Sequence, residues 1–585
     1  MSDDSAKDKP KDMKFSVGFG ATSVAEEQPA ETDSAPLFRI AVLSGLTPTA
    51  EHARGAKKAS AVVVSKKTLD EAVAAFGIEL SLTVPDPVIA TGEPLGVVLP
   101  IRALRDFRPS SWVEHVPALR ALVDARAIVQ SGGDVGARLS GTMPRPGWAS
   151  ALASGAAALA SPPPVAETGA PTTGSSLLDS LLDAGAPAAP AAPAGGGGLL
   201  GSIAREGSVG PGPVARVDNA VTALLDALLA HPELRRLEAA WRSVELLAKH
   251  AELPGVQIEL FDAHVDEVDG VLDRIRLSNG APYDLVLVDH VVHAQPRDLE
   301  RLEAWATRGD QLLVPVIVPG EPQLIGMDDV ASIAKSQRDH ARTPDQRARL
   351  LAASGAREET RWIAVALNAP LARLAHTKET HRVTGSTYAE PETRVLRASS
   401  ALALGALVAQ SHARFGWGCA PNATPHVMLR DLLVSTGPDG TATPLEAIVD
   451  ESSAKEAARA GVSVLCATPS RDFAHVGATA MVYRGAVGPS GSSPPASITL
   501  GDQLFVSRMT QVLTQLAAAL PRGTDVRAAT EITQLMLSEL FRDAPSPHPE
   551  VSLAMDGDIV RLTVRPRRFL GVTIPEIELG ARLSG

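Results

Sequence analysis

Cysteine is almost missing from this chain: Cys419 and Cys466 are the only two among 585 residues. Two thiols in so long a chain leave no room for a disulfide framework and fit a reducing compartment. Aromatic side chains make up only 3% of the residues while hydrophobic ones make up 45%. Cores are therefore expected, built from Leu, Val, Ile and Ala. No run of about 18 apolar residues exists to span a bilayer. The start, Met-Ser-Asp-Asp-Ser-Ala-Lys-Asp-Lys, lacks the basic-then-apolar pattern of a signal peptide. The expectation is a cytoplasmic protein with no direct membrane insertion. Positive charge is in deficit, the formal net charge being −12, which argues against nucleic acid or anionic membranes as partners.

Catalytic signatures are missing too. There is no G-x-x-x-x-G-K-[ST] phosphate loop, G-x-S-x-G elbow, H-E-x-x-H helix or C-x-x-C pair. The best metal candidate is Asp289-His290-Val-Val-His293, after an apolar run at 285–288. Strand ends in α/β sheets are where sites usually lie, and two histidines three apart could share a zinc with a carboxylate. No distant Cys or His cluster presents itself to complete such a site. The cationic run Arg565-Pro-Arg-Arg568 is too short to make an electropositive face and reads as a strand end or as inter-subunit salt bridges. Cys419 has no base nearby in sequence and reads as a buried thiol. The expectation is a protein that is not an enzyme and has no cofactor and no metal.

What is present is a long, punctuated α/β pattern, and 585 residues exceed what one core holds. Residues 1–35 are polar and charged and read as a disordered arm. A first folded unit spans 36–131. Phe38-Arg-Ile-Ala-Val-Leu reads as a buried strand, and Thr68 with Glu71 as a capping box before a short helix. Ile78, Leu80, Leu82 and Val84 alternate as in a half-buried strand. A helix starting at Pro109 is expected to carry Trp112, Val116, Leu119 and Val123 on one face. Residues 132–213 turn to Ala, Pro, Gly and Ser, the composition of a flexible linker. One leucine island breaks it, a short helix at 175–184 with Leu177, Leu178, Leu181 and Leu182 on one stripe.

The remainder, 214–585, alternates strand and helix. A helix over 218–230 precedes a second over 231–247, where Pro232 suits the first helical position and Glu233 the positive dipole end. Leu234, Leu237, Trp241, Val244 and Ala248 share one face. Strands follow at 256–260, 285–288, 312–318 and 362–367, with helices between; the rhythm implies a wound α/β sheet. Residues 325–360 and 375–395 read as polar surface, Val395–Phe415 as one long helix, and 485–495 as a Gly/Ser/Pro loop. Two more helices and two terminal strands, Asp558–Val564 and Val572–Leu579, end the chain. The fold class is α/β, of mixed α+β character.

The order of residues carries a resemblance. His231-Pro232-Glu233-Leu-Arg-Arg-Leu237-Glu-Ala-Ala-Trp241-Arg242 resembles the "HPEFQRLEATWRGLHYL" signature of the large subunit of the type VI secretion contractile sheath. Arg361-Trp-Ile-Ala-Val-Ala-Leu is similar to that family's "YLGLTLPRFLLRLP" segment, and Ala413-Arg-Phe-Gly416-Trp417-Gly-Cys to its "FARYGWCA". Leu504-Phe-Val-Ser-Arg-Met resembles "LAASRFAHYL", and Val564-Arg-Pro-Arg-Arg-Phe a C-terminal strand reading "LRPHFQ". In the first unit, Thr68-Leu-Asp-Glu-Ala-Val, Glu79-Leu-Ser-Leu-Thr-Val, Leu104-Arg-Asp106-Phe107-Arg-Pro109 and Val116-Pro-Ala-Leu-Arg-Ala-Leu resemble, in order, segments of the small sheath subunit. Phe107 can anchor there while Pro109 opens the next helix. Two departures stand out: residues 263–283 are shorter than in the family, and Val288-Asp-His-Val-Val replaces "GDYEF".

The resemblance implies both sheath subunits fused, small then large. It implies self-assembly into a helical sheath around an inner tube protein, on a baseplate, with contraction driving effector delivery. It also implies terminal strands shared between protomers, and disassembly by a ClpV-like AAA+ unfoldase, for which Leu177, Leu178, Leu181 and Leu182 are the candidate docking residues. Two alternatives stay open: a non-contractile scaffold or baseplate-associated paralogue and, more remotely, a metal-dependent enzyme using His290 and His293.

Overall fold

The computed structural model describes residues 37–50, 61–90, 92–132, 134–154, 212–278, 280–335, 346–384, 386–437, 440–485, 498–521 and 523–583. The chain opens with strands β1 (Phe38–Ser44) and β2 (Val62–Val64), then the hairpin β3 (Ile78–Val84) and β4 (Leu95–Ile101). After a helical stretch come β5 (Val256–Asp262), β6 (Leu285–Val288), β7 (Val316–Pro319) and β8 (Ile363–Leu367). Two short pairs follow, β9 (Leu371–Arg373) with β10 (Leu396–Arg397) and β11 (Ser435–Thr436) with β12 (Ala442–Thr443). The last strands are β13 (Val462–Ala467), β14 (Ala474–Val476), β15 (Glu550–Asp556), β16 (Ile559–Arg565) and β17 (Ile577–Arg582).

Eight strands form one sheet in the order β14-β13-β8-β7-β6-β1-β5-β2. The inner six run parallel, and only the edge strands β2 and β14 run antiparallel. Both faces are covered, the arrangement parallel sheets require. On β1, Phe38, Ile40 and Val42 belong to one core, and Ala41 and Leu43 to the other. The helices Pro232–His250 and Ser400–Phe415 cover the first face; Val268–Leu277, Pro296–Leu312 and Glu451–Arg459 cover the second. The apolar run at 285–288, and that at 38–43 apart from part-buried Arg39, are buried on both sides for this reason. β13, Val-Ser-Val-Leu-Cys-Ala, is another such run, wholly buried, that sequence reading passed over.

Several local expectations change. Thr68 does not cap its helix; its Oγ1 accepts the Ser65 N–H at 3.0 Å instead. The helix from Pro109 stops at His115, and a second runs Pro117–Ser131. Pro117 disfavours helical geometry at Val116, which sits extended at φ −102°, ψ 102°. Residues 135–154, which composition places in the linker, hold two short helices, Val135–Ser140 and Trp148–Ser154. Trp148 is fully buried and donates its indole N–H to Asp86 at 3.0 Å. The leucine island, the arm at 1–35 and most of the Gly/Ser/Pro loop lie outside the described residues. The helix expected from Val395 begins at Ser400, after the short strand β10.

Segment 375–395 is no simple polar surface. His376, His381, Ser386, Tyr388 and Glu390 are all buried. At the C-terminus, β15, β16 and β17 form a separate antiparallel sheet, one strand more than the two expected.

Candidate functional site: the inter-segment joint and the C-terminal sheet

The joint starts with β1. It lies between β5 and β6, pairing with β5 from Phe38–Val256 through Ser44–Asp262 and with β6 from Ile40–Leu285 through Leu43–Val288. A strand from the start of the chain thus completes a sheet whose flanking strands come more than 200 residues later. Each fully buried Ile, Val or Leu side chain contributes roughly 1.5–3 kcal/mol, so several on one strand make a strong attachment. Phe38 also stacks on His412 of the Ser400–Phe415 helix, ring centroids 4.7 Å apart.

The signature helix Pro232–His250 seals the joint. His231 sits at its N-cap and accepts the Glu233 N–H at 3.3 Å. Glu233 accepts from the backbone of Thr49 at 2.7 Å and pairs with Arg236 at 2.8 Å. Burial alone would raise the Glu233 pKa, but these hydrogen bonds and the Arg236 charge hold it down at about 2. Arg236 reaches on to the carbonyls of Gly45 at 2.6 Å and Thr47 at 2.8 Å. Trp241, fully buried, donates to the Leu46 carbonyl at 3.0 Å. Leu237 lies in the core beside it. The first turn and one face of this helix therefore grip the loop after β1. Further along, Arg126 pairs with Asp218 at 2.7 Å, and Arg216 bonds the Leu152 and Ala153 carbonyls.

Behind the same helix lies a buried ion network. Arg373 pairs with Glu390 at 2.7 Å and with Glu238 at 3.2 Å. Arg235 reaches Glu390 at 3.5 Å, Arg242 reaches Glu238 at 3.7 Å, and Arg242 also pairs with Glu245 at 2.9 Å. Burial raises the Glu238 pKa against the pull of Arg373. Sequence reading missed Glu238, Arg373 and Glu390. The available signal was Glu238, an acid flanked by the apolar positions Leu237 and Trp241.

In the first segment, Asp106 accepts the Arg102 and Ala103 N–H groups at 2.8 and 2.9 Å, and its carbonyl takes the Trp112 indole at 2.9 Å. Phe107 is buried, and Pro109 opens the following helix.

Gly416 ends the Ser400–Phe415 helix at φ 72°, a left-handed C-cap. It delivers Trp417 into an aromatic cluster with Phe505, Phe541 and Phe569, centroids 5.0–5.5 Å away. This cluster anchors the C-terminal sheet. So does Asp502, whose carboxylate takes the Thr573 N–H at 2.5 Å and its hydroxyl at 2.8 Å. Among the described residues the outer edges of β15 and β17 have no strand partner. Arg565 pairs with Glu576 at 2.6 Å, and Arg567 with Glu550, so these cations are tied within the sheet.

The histidine pair does not converge. His290 Nε2 meets the Ala263 carbonyl at 2.8 Å, whereas His293 Nδ1 faces Glu321 at 3.0 Å. Among the described residues no three His, Cys, Asp or Glu side chains group as a metal site needs. Burial pushes the Cys419 thiol well above its ordinary range. No helix among these residues is long and apolar enough to cross a membrane.

A shared sheet and buried connecting contacts define an α/β protein assembled from two sequence segments. Comparison with known families names the segments. Residues 24–131 match the model for VipA of the type VI secretion system. Residues 212–276 and 273–482 match the model for VipB, the tail sheath N-terminal domain. Together the matches take in more than half of the chain, which belongs to the type VI secretion sheath proteins and carries the small-subunit segment ahead of the large. No curated protein matches it. Sheath families are structural components that self-assemble into a polymer.

Proposed function

We propose that the chain is a single-chain protomer of a type VI secretion contractile sheath, with 36–131 as its small-subunit part and 214–585 as its large-subunit part. It polymerises around an inner tube on a baseplate, and its contraction drives effector delivery, without catalysis and in the cytoplasm. The observation that carries this reading is β1 lodged between β5 and β6. A strand of the VipA-type segment is an integral member of the VipB-type sheet, so the two segments act as one mechanical unit. The open edges of β15 and β17 support polymerisation, since free strand edges are natural joints between copies. Electron microscopy of the purified protein tests the proposal. Helical tubes are expected; discrete oligomers would favour the non-contractile scaffold instead.

The leucine island is proposed as the docking motif for a ClpV-like AAA+ unfoldase, with Leu177, Leu178, Leu181 and Leu182 as anchors in a groove. A 170–190 peptide should bind the unfoldase's N-terminal domain. If Leu178→Asp with Leu181→Asp leaves that binding unchanged, the assignment is wrong.

A further inference from the structure

A concavity of about 560 Å3 opens on the first segment, where β4 passes into the helix Pro109–His115. Arg102, Arg105 and Arg108 line it, with Ser110, Glu114 and His115 on the helix side. The spacing of three has a local cause. Leu104–Phe107 is a 3-10 turn, in which residues three apart lie on one side. Leu104 and Phe107 enter the core, which leaves Arg105 outward with 79% of its side chain exposed. Arg102 and Arg108, three residues to either side, are exposed as well.

The carboxylates nearby do not neutralise this cluster. Asp106 accepts the Arg102 and Ala103 amides and stands 4.0 Å from the Arg105 guanidinium. Asp70 accepts the Leu104 amide at 3.1 Å. Glu114 lines the concavity, and Glu79 lies across from Pro100 in the β3–β4 ladder. Neither acid forms an ion pair with Arg102 or Arg108, which have none among the described residues.

The surrounding segment is cationic within an acidic chain. Residues 36–131 carry 11 Lys and Arg against 9 Asp and Glu, whereas residues 214–585 carry 37 against 45. An exposed cluster of one sign on a molecule of the other sign therefore finds its complement on a second copy. Symmetry narrows how the copies meet. A two-fold contact through this surface would set the arginines of one copy against the same arginines of the other. A head-to-tail contact sets them on acidic surface instead, and such a contact repeats from copy to copy into an open filament.

We propose that Arg102, Arg105 and Arg108 form a docking surface for a second copy of this chain, met head to tail through acidic surface of its 214–585 part. This rests on the reading of the chain as a polymer subunit and names one surface that joins the copies. It is distinct from the open edges of β15 and β17. Strand edges join through backbone hydrogen bonds, whereas the arginines steer and orient the incoming copy and are screened by salt.

The test is sedimentation velocity of the full-length chain at low and high KCl, with electron microscopy of the same samples. The wild type should self-associate at low salt and less so at high salt. Arg102→Glu with Arg105→Glu and Arg108→Glu should weaken association about tenfold or more, because like charges then meet across the contact. The corresponding triple Lys variant, which keeps the charge, should retain most of it. Arg105→Glu alone should weaken association more than Arg527→Glu, an equal change of charge on another exposed helix. A wild type that stays monomeric at low salt, or a triple Glu variant that associates as the wild type does, would overturn the proposal. Tubes formed equally by the wild type and the triple Glu variant would overturn this surface and leave the sheath reading intact. Salt-sensitive discrete oligomers lost in the triple Glu variant would support the surface and remove the sheath.

Discussion

At the residue scale, the joint is held by groups whose protonation matters. His412 stacks on Phe38, and burial, with Arg508 nearby, lowers its pKa to about 3. The unfolded chain binds this proton near 6.5, the folded chain only near 3. The stability contribution is therefore complete above about 6.5 and is lost as pH falls toward 3. His250, held at about 4, and His376, at about 3, act with the same sign. Stability against denaturant should fall from pH 7 to pH 4, and His412→Phe should reduce the slope by up to one proton, about 1.4 kcal/mol per pH unit. An unchanged slope would mean that His412 titrates normally in the folded chain. Glu233 works at lower pH. With its pKa held at about 2, its contribution persists above about 4.5 and fades as pH drops to 2.

At the element scale, legibility followed periodicity. The amphipathic helix at 231–247 and the apolar strands at 38–43 and 285–288 were readable because burial imprints a period, or an unbroken apolar run, on the residues themselves. Trp148 was not, because one aromatic in an Ala/Pro/Gly tract has no period; its burial depends on Asp86, some sixty residues away. β15 was missed because Glu-Val-Ser-Leu-Ala-Met-Asp buries only one face partially, leaving a weak alternation. The polar segment at 375–395 misled for another reason. Glu390 is buried by pairing with Arg373 and Arg235, and His381 by bonds to the backbone of Val383 and Tyr388, and composition cannot distinguish paired from solvated polar groups. Breaking such a network from one side is costly because it strands a charge in the interior.

At the scale of the whole molecule, the central fact is that β1 has no sheet of its own. Its hydrogen bonds run to β5 and β6 on both sides, and its side chains feed both cores. Removing it would leave β5 and β6 facing an empty lane, with unpaired backbone groups and an exposed apolar strip on each face. The VipB-type segment should therefore not fold alone. Covalent connection makes the insertion of β1 intramolecular; separating the segments makes it bimolecular and concentration-dependent. A protease site placed within residues 155–211 separates these effects. The cleaved chain should still elute as one complex, because β1, the Arg126–Asp218 pair and the Trp241–Leu46 bond all remain. Its thermal midpoint should fall on dilution, which that of the intact chain should not do. Residues 212–585 expressed without their partner should aggregate, and co-expression with residues 1–154 should restore solubility. A soluble, cooperatively folded 212–585 would show that β1 is an accessory strand rather than the joint on which the fused protomer depends.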